Sequence, residues 1–417
     1  MPATPKIDFV YFDAGGGHRS AATALQSVIA SEGYDWDIRL VNLQEVLDPL
    51  DIFRKVTGIR LQDLYNRMLA RGLTWGAGYW LPLMQQVIRT YHRPSVQLLA
   101  DFWRSRQPDM VVSLIPNLNR ALFESLELAC PRTPYVTILT DLADYPPHFW
   151  MERQGQYFIC GTPCAVGQAE KLGASSSRII GVSGMILRPH FYEDQQINRG
   201  EERRRLGLRE DLPTGLVLFG GEGSNVMFSL AQRLGNSEID LQLIMLCGRN
   251  QKLLERLKRM KTRNKMHIEG FTKQVPYFMQ LADFFIGKPG PGSISEALHM
   301  GLPVIVESNS WTLPQERYNA RWLRETGYGI VLDNLREIEG AVRSLIVGGQ
   351  LSKLKERIAS FNNRAVYEIP LILRRILTES RRDIKPELQA TDVSDNGGSV
   401  HAGLAGTDSS RSSGDRS

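Results

Sequence analysis

Cysteine is scarce. Four in 417 residues cannot staple a chain of this length, and Cys160 and Cys164 have no cluster of His or Cys nearby to complete a zinc site. The thiols therefore read as reduced, as in a cytosolic protein. Long apolar runs are missing as well: no stretch reaches the ~18–20 residues needed to cross a bilayer. The N-terminal MPATPKIDFVYFDAGGGH interrupts its short apolar run at Asp8 and Asp13, unlike a secretory signal, so any membrane contact is expected to be peripheral. A strong charge of one sign is also absent. Fifty Lys and Arg against 45 Asp and Glu leave a net charge of +5, a mild bias towards anionic partners but far short of a dedicated nucleic-acid binder. With 42% hydrophobic and 23% charged residues, wholesale disorder, collagen-like repetition and a polytopic membrane protein are excluded. A folded, water-soluble chain long enough for two or three domains remains.

What is there is a repeated alternation. IDFVYFDA, residues 7–14, is rich in β-branched and aromatic residues and runs into Gly15, Gly16 and Gly17, after which SAATALQSVIASEG has helical spacing. WDIRLVNL, PDMVVSLI, PYVTILTD and QYFICGT repeat the strand pattern, each followed by a potential helix. A second series follows the charged stretch Glu193–Leu212, whose EERRR reads as a connector or an exposed helix: GLVLFGGEG, LQLIMLCGRN, MHIEGF, ADFFIGKPGPG and LPVIVES. Such βα series predict an α/β protein of two doubly wound domains with parallel sheets, divided near residue 190. From about Ser380 to Ser417 the chain turns Ser-, Gly- and Asp-rich and is expected to be a disordered tail.

In such sheets ligands collect beyond the carboxyl ends of the strands. Three glycine turns stand there: GGGH at 15–18, GGEGSN at 220–225 and GKPGPGSISEAL at 287–298. In the last, Gly287, Gly290 and Gly292 allow close backbone approach, Pro289 and Pro291 stiffen the loop, and Ser293 opens a helix whose N–H groups lack partners. That is a phosphate cradle. Glu296, one turn on, is suited to accept hydrogen bonds from a ribose diol; without a ligand the same segment is a tight strand-to-helix turn with an acid favourable near the helix dipole. Downstream, Gln315, Glu316 and Asn319 in TLPQERYN offer groups suited to sugar hydroxyls.

GGGHR, TDL at 140–142, FGGEGSN, CGRN at 247–250, GF at 270–271, PGPGSISEALHMGLPVIV and PQERYN together resemble the monogalactosyldiacylglycerol synthase and diacylglycerol glucosyltransferase group. More distantly they are similar to the bacterial transferase that adds N-acetylglucosamine to the lipid-linked muramyl-pentapeptide. The resemblance covers roughly residues 7–375. It implies a B-type glycosyltransferase fold of two facing Rossmann-like domains: residues 1–190 for the acceptor lipid and 191–379 for the UDP-sugar, with the last helix packing back on the first domain. It implies an inverting enzyme that needs no cofactor or metal. Gly290, Gly292 and Ser293 would hold the diphosphate and Glu296 the ribose; Gln315 and Glu316 would meet the donor sugar, with Asn319 nearby. Gly221, Gly223 and Ser224 would line the opposite wall, and Phe271 would lie beside the uracil. Relatives often carry Lys-Ala or Arg-Ser before the glycine loop; this chain has Lys288-Pro289.

Inverting transfer needs a base for the acceptor hydroxyl and stabilisation of the leaving diphosphate. His18, beside Gly15, Gly16 and Gly17 on the acceptor side, has a suitable ordinary pKa. Asp141 is a second candidate, to orient His18, to act as base itself or merely to cap a turn; Asp13 is a third. Residues 50–106 concentrate basic side chains, Arg104 and Arg106 among them, with aromatics including Phe102 and Trp103. This pattern suits docking on an anionic membrane surface, with Trp75, Tyr79 and Trp80 at the inserted tip. The alternative is a helical subdomain with an aromatic core and a solvated basic face. The expectation is thus a hexosyltransferase, UDP-sugar to diacylglycerol, peripheral at the cytoplasmic face of a plasma membrane. Alternatives are a UDP-N-acetylglucosamine transferase to another lipid-linked acceptor, a same-fold nucleotide-sugar epimerase, and a non-catalytic nucleotide- or lipid-binding protein. A dinucleotide oxidoreductase is disfavoured, because GGGHRS lacks the G-x-G-x-x-G spacing.

Overall fold

The computed structural model describes residues 4–13, 17–50, 90–193 and 196–391, with side chains to Arg381. Two six-stranded sheets form, with every strand pairing parallel. The first contains β1 (Lys6–Tyr11), β2 (Asp37–Asn42), β3 (Met110–Ser113), β4 (Tyr135–Ile138), β5 (Tyr157–Cys160) and β6 (Ile179–Gly181), in the order β2-β1-β3-β4-β5-β6. The second contains β7 (Thr214–Leu218), β8 (Gln242–Leu246), β9 (Met266–Glu269), β10 (Phe284–Gly287), β11 (Val304–Glu307) and β12 (Gly329–Leu332), in the order β12-β11-β10-β7-β8-β9. The central strands β3, β4, β8 and β10 are buried from end to end, as helices on both faces of a parallel sheet require. Strand order reverses between β1 and β3 and between β7 and β10, the two places where such sheets open a crevice. Leu218 pairs with Gly287, so the glycine turns after β7 and β10 leave the sheet side by side.

In the first domain the helix Gly17–Ser31 buries Ala21, Ala22, Ala24, Leu25, Val28 and Ile29, a helical-period stripe facing the sheet. The final helix, Ala365–Thr391, runs past residue 380, where composition places the start of a tail. Its Val366, Ile369, Leu373, Ile376 and Leu377 are buried in the core of the first domain, with Leu25 and Ile29. Each such side chain contributes about 1.5–3 kcal/mol on burial, so this strap ties the chain's end to its beginning. Two charged stretches are placed differently from the sequence expectation. Within EERRR, Arg203 is buried: it donates to the Leu281, Glu210 and Leu212 carbonyls and to Asp283 Oδ2 at 2.7 Å. Trp103 and Arg106 are also structural. The Trp103 indole is buried and donates to Ser125 Oγ at 2.9 Å, and Arg106 forks onto the buried carboxylate of Asp8. Residues 51–89, with Trp75, Tyr79 and Trp80, lie outside the described residues, as do 392–417. Among the described residues no helix is long and apolar enough to cross a membrane.

Candidate active site

The second domain's wall is built mainly from backbone. Gly223, in the turn after β7, has φ +68°, and a Cβ there would lie 2.2 Å from the Cys247 carbonyl oxygen. Only glycine fits that approach. The Gly221 carbonyl accepts from Arg249 N–H at 2.9 Å, and Ser224 Oγ accepts from Val226 N–H at 3.4 Å. After β10, Gly290 caps the helix Pro291–His299, with Pro291 at its first position, where the missing N–H costs nothing. Ser293 Oγ donates to the Gly290 carbonyl at 3.2 Å. A Cβ on Gly292 would meet nothing within 4 Å; that position lies in the first turn of the helix, whose N-terminal N–H groups form an anion-binding arrangement.

Glu296, one turn in, has its carboxyl pushed up to about 7 by burial, opposed by the charge of Arg188, whose Nη2 is 3.8 Å away. Glu316 is buried on the first turn of the helix Pro314–Thr326, beside half-buried Gln315, and Lys288 Nζ donates to it at 2.8 Å. Asn319 lies below. It is fully buried and donates to the Pro289 carbonyl at 2.9 Å, which makes it a support of the loop. Phe271 is 49% exposed beyond β9, with the Arg249 guanidinium 4.2 Å from its ring centre and Arg249 paired with Glu222 at 2.9 Å. An aromatic face backed by a fixed cation suits a planar base.

The first domain's wall consists of titratable side chains. Gly15 and Gly16 lie outside the described residues; Gly17 and His18 open the helix Gly17–Ser31. His18 Nδ1 is 3.0 Å from Thr140 Oγ1. Burial lowers its pKa to about 4, opposed by a hydrogen bond to the Leu114 backbone, so the ring is neutral at pH 7. Asp141, in the turn after β4, is 9% exposed; burial raises its carboxyl to about 7, against a hydrogen bond from the Trp150 indole at 2.9 Å. Asp13 instead forms an exposed pair with Arg19 at 3.0 Å.

Trp150 is the residue that the sequence did not flag. Its Nε1–H holds Asp141, its ring centre is 5.9 Å from that of His18, its N–H donates to Asp144 Oδ1 at 2.6 Å, and Asn119 Nδ2 donates to its carbonyl at 2.9 Å. No motif in HFWME marks it, because its role depends on neighbours distant in sequence. The walls face each other: Asp141 feels the charges of Glu316 and Lys288, and the Tyr318 phenol meets the Cys164 thiol across the cleft.

Residues 216–360 match the family model "Glycosyltransferase family 28 C-terminal domain". Over 356 residues the chain is 28% identical to the chloroplastic monogalactosyldiacylglycerol synthase of Spinacia oleracea, covering 82% of this chain and 66% of that protein. It is 27% identical over 351 residues to monogalactosyldiacylglycerol synthase 1 of Arabidopsis thaliana, covering 81% and 64%. The chain thus spans just under two thirds of these relatives' length. Among solved structures it resembles MurG of Acinetobacter baumannii, with a TM-score of 0.57 at 11% identity, covering 89% of this chain and 99% of that one. It also resembles UDP-GlcNAc 2-epimerase of Neisseria meningitidis, with a TM-score of 0.53 at 14% identity, covering 92% and 100%. At such identities the likeness is one of fold. Residues 216–360 therefore match the family 28 glycosyltransferase C-terminal domain, in a chain that has the B-type glycosyltransferase fold and whose sequence resembles the monogalactosyldiacylglycerol synthases.

Proposed function

We propose that the protein is an inverting glycosyltransferase that moves galactose or glucose from a UDP-sugar to the hydroxyl of diacylglycerol or a related membrane lipid, making a β-glycolipid without a metal ion. The observation that carries this reading is the juxtaposition across the cleft. A buried carboxyl, Asp141, lies within electrostatic reach of Lys288 and Glu316 beside an open helix N-terminus. The sequence relatives support the acceptor class.

In this reading the diphosphate rests on the amides of Gly290, Gly292 and Ser293, Glu296 takes the ribose, Phe271 and the turn at Gly221, Gly223 and Ser224 flank the nucleotide, and Gln315 and Glu316 meet the sugar. His18, held neutral, accepts the proton of the attacking hydroxyl. Asp141, ionised above about pH 7, adds negative charge to the same wall and so favours the imidazolium that forms. The segment bearing Trp75, Tyr79 and Trp80 would bring the acceptor wall to an anionic bilayer at the cytoplasmic face.

The test incubates the protein with diacylglycerol vesicles and UDP-galactose, UDP-glucose or UDP-N-acetylglucosamine, with and without EDTA. The expected result is UDP release and a glycolipid from one of the two hexose donors, undiminished by EDTA. No release from any donor overturns the reading, and acceptor-independent epimerisation of UDP-N-acetylglucosamine would replace it.

A further inference from the structure

Lys288 follows β10 directly and lies between the two glycine turns. A Cβ on Gly290 would sit 3.3 Å from Lys288 Cε, 3.4 Å from Ser293 Oγ and 3.7 Å from Glu316 Oε1; a Cβ on Gly220 would sit 3.7 Å from the same Cε. The lysine arm therefore crosses the open cradle, and its ammonium meets Glu316 there at 2.8 Å. The partners are unequally placed: the Glu316 side chain is 10% exposed and that of Lys288 46%. A buried carboxylate needs a cation or several hydrogen-bond donors, whereas an ammonium on a flexible stem can turn to a nearby anion. A diphosphate carries more negative charge than one carboxylate, and it gains a further unit as its bond to the sugar breaks.

We propose that Lys288 is a charge switch in the donor site: the diphosphate draws its ammonium away from Glu316, the lysine then supplies the countercharge for departing UDP, and the released Glu316 carboxylate accepts hydrogen bonds from the donor sugar. This rests on the glycosyltransferase reading above. In the transfer step, the acceptor oxygen bonds to the anomeric carbon as the bond from that carbon to the β-phosphate oxygen breaks. The electron pair of the broken bond goes to that phosphate oxygen, which faces Lys288, and the hydroxyl proton goes to His18. Before the donor arrives, the ion pair keeps both charges compensated. After it arrives, the sugar hydroxyls take over the compensation of Glu316, so a donor lacking its sugar leaves the carboxylate without donors.

The experiment is calorimetric titration of UDP, UDP-sugar and uridine into wild type, Lys288→Met, Glu316→Gln and the double variant. Lys288→Met is expected to bind UDP at least about 10-fold more weakly, as befits a lost charge-assisted contact, with uridine unchanged. Glu316→Gln is expected to bind UDP several-fold more tightly, since the lysine no longer has to leave a partner, while losing the extra affinity that the sugar adds. In the double variant the gain disappears. An increase in affinity cannot come from a poorly folded protein, so this arm stands even if Lys288→Met is unstable. Unchanged UDP affinity in Lys288→Met, weaker UDP binding in Glu316→Gln, or a gain that survives in the double variant overturns the switch. A wild type that binds no UDP overturns the donor reading beneath it instead.

Discussion

The two walls of the cleft are made of different material. The wall of the second domain is largely main chain: turns at Gly223 and Gly290 and the N-terminus of the helix Pro291–His299, trimmed by Glu296, Glu316 and Lys288. The wall of the first domain is side chain: His18, Thr140, Asp141 and Trp150, delivered by a helix start and two loop positions and held by a buried polar network that reaches Asn119 and Asp144. A diphosphate is common to all nucleoside-diphosphate sugars and can be met by amides whose geometry is set locally. A proton transfer needs a particular pKa, which burial and a few exact neighbours must tune. The difference predicts that damage to the first wall removes chemistry and damage to the second removes donor affinity.

The largest expected effect is at His18. His18→Ala should lower transfer by roughly 10²–10⁴-fold with UDP affinity unchanged, read by UDP release and calorimetry; near-normal turnover would take His18 out of the proton path. Asp141→Asn comes next. In the wild type, activity should climb as pH rises through about 7, where the Asp141 carboxylate forms, and the variant should lose that limb of its pH–rate profile. Trp150→Phe removes the hydrogen bond that favours the ionised form. The limb should therefore move to higher pH, with a stability loss of about 1–3 kcal/mol for the unpaired buried oxygen.

Two glycines sharpen the contrast on the other wall. Gly223→Ala places a methyl against the Cys247 carbonyl at a positive φ and should lower the melting temperature by a strain of about 1–3 kcal/mol. Gly292→Ala meets nothing in the folded chain; it should melt like the wild type and weaken UDP binding. Stability should depend on pH as well. Folding raises Asp141 and Glu296 from their ordinary values to about 7, so between about pH 4 and 7 the folded state holds protons that the unfolded state has released. Stability contributed by these groups therefore falls as pH rises through that window. A double variant Asp141→Asn, Glu296→Gln should show a shallower fall between pH 5 and 8 in thermal denaturation.

The second wall was legible in the sequence because its demands are local. A chain that must turn at positive φ or approach another backbone closely writes glycine at that position, and a strand buried on both faces writes a continuous apolar run. Position alone misled where charge or aromaticity was read without its neighbours. EERRR has the look of a solvated helix, yet Arg203 points inward at the Leu281 carbonyl and Asp283. Trp103 has the composition of a membrane-seeking segment, yet it fills the contact with Ser125.

Composition, strand periodicity and the glycine turns are enough to decide two βα domains, the cleft at their strand ends and a second wall built largely of main chain. Tertiary packing alone decides which acids are buried and which cations they meet. Asp141 acquires its raised pKa from burial that no local pattern announces, and Lys288 acquires its partner from a helix that begins beyond the next strand. Desolvation and ion pairing depend on what is close in space, and the order of residues along the chain records only what is close in sequence.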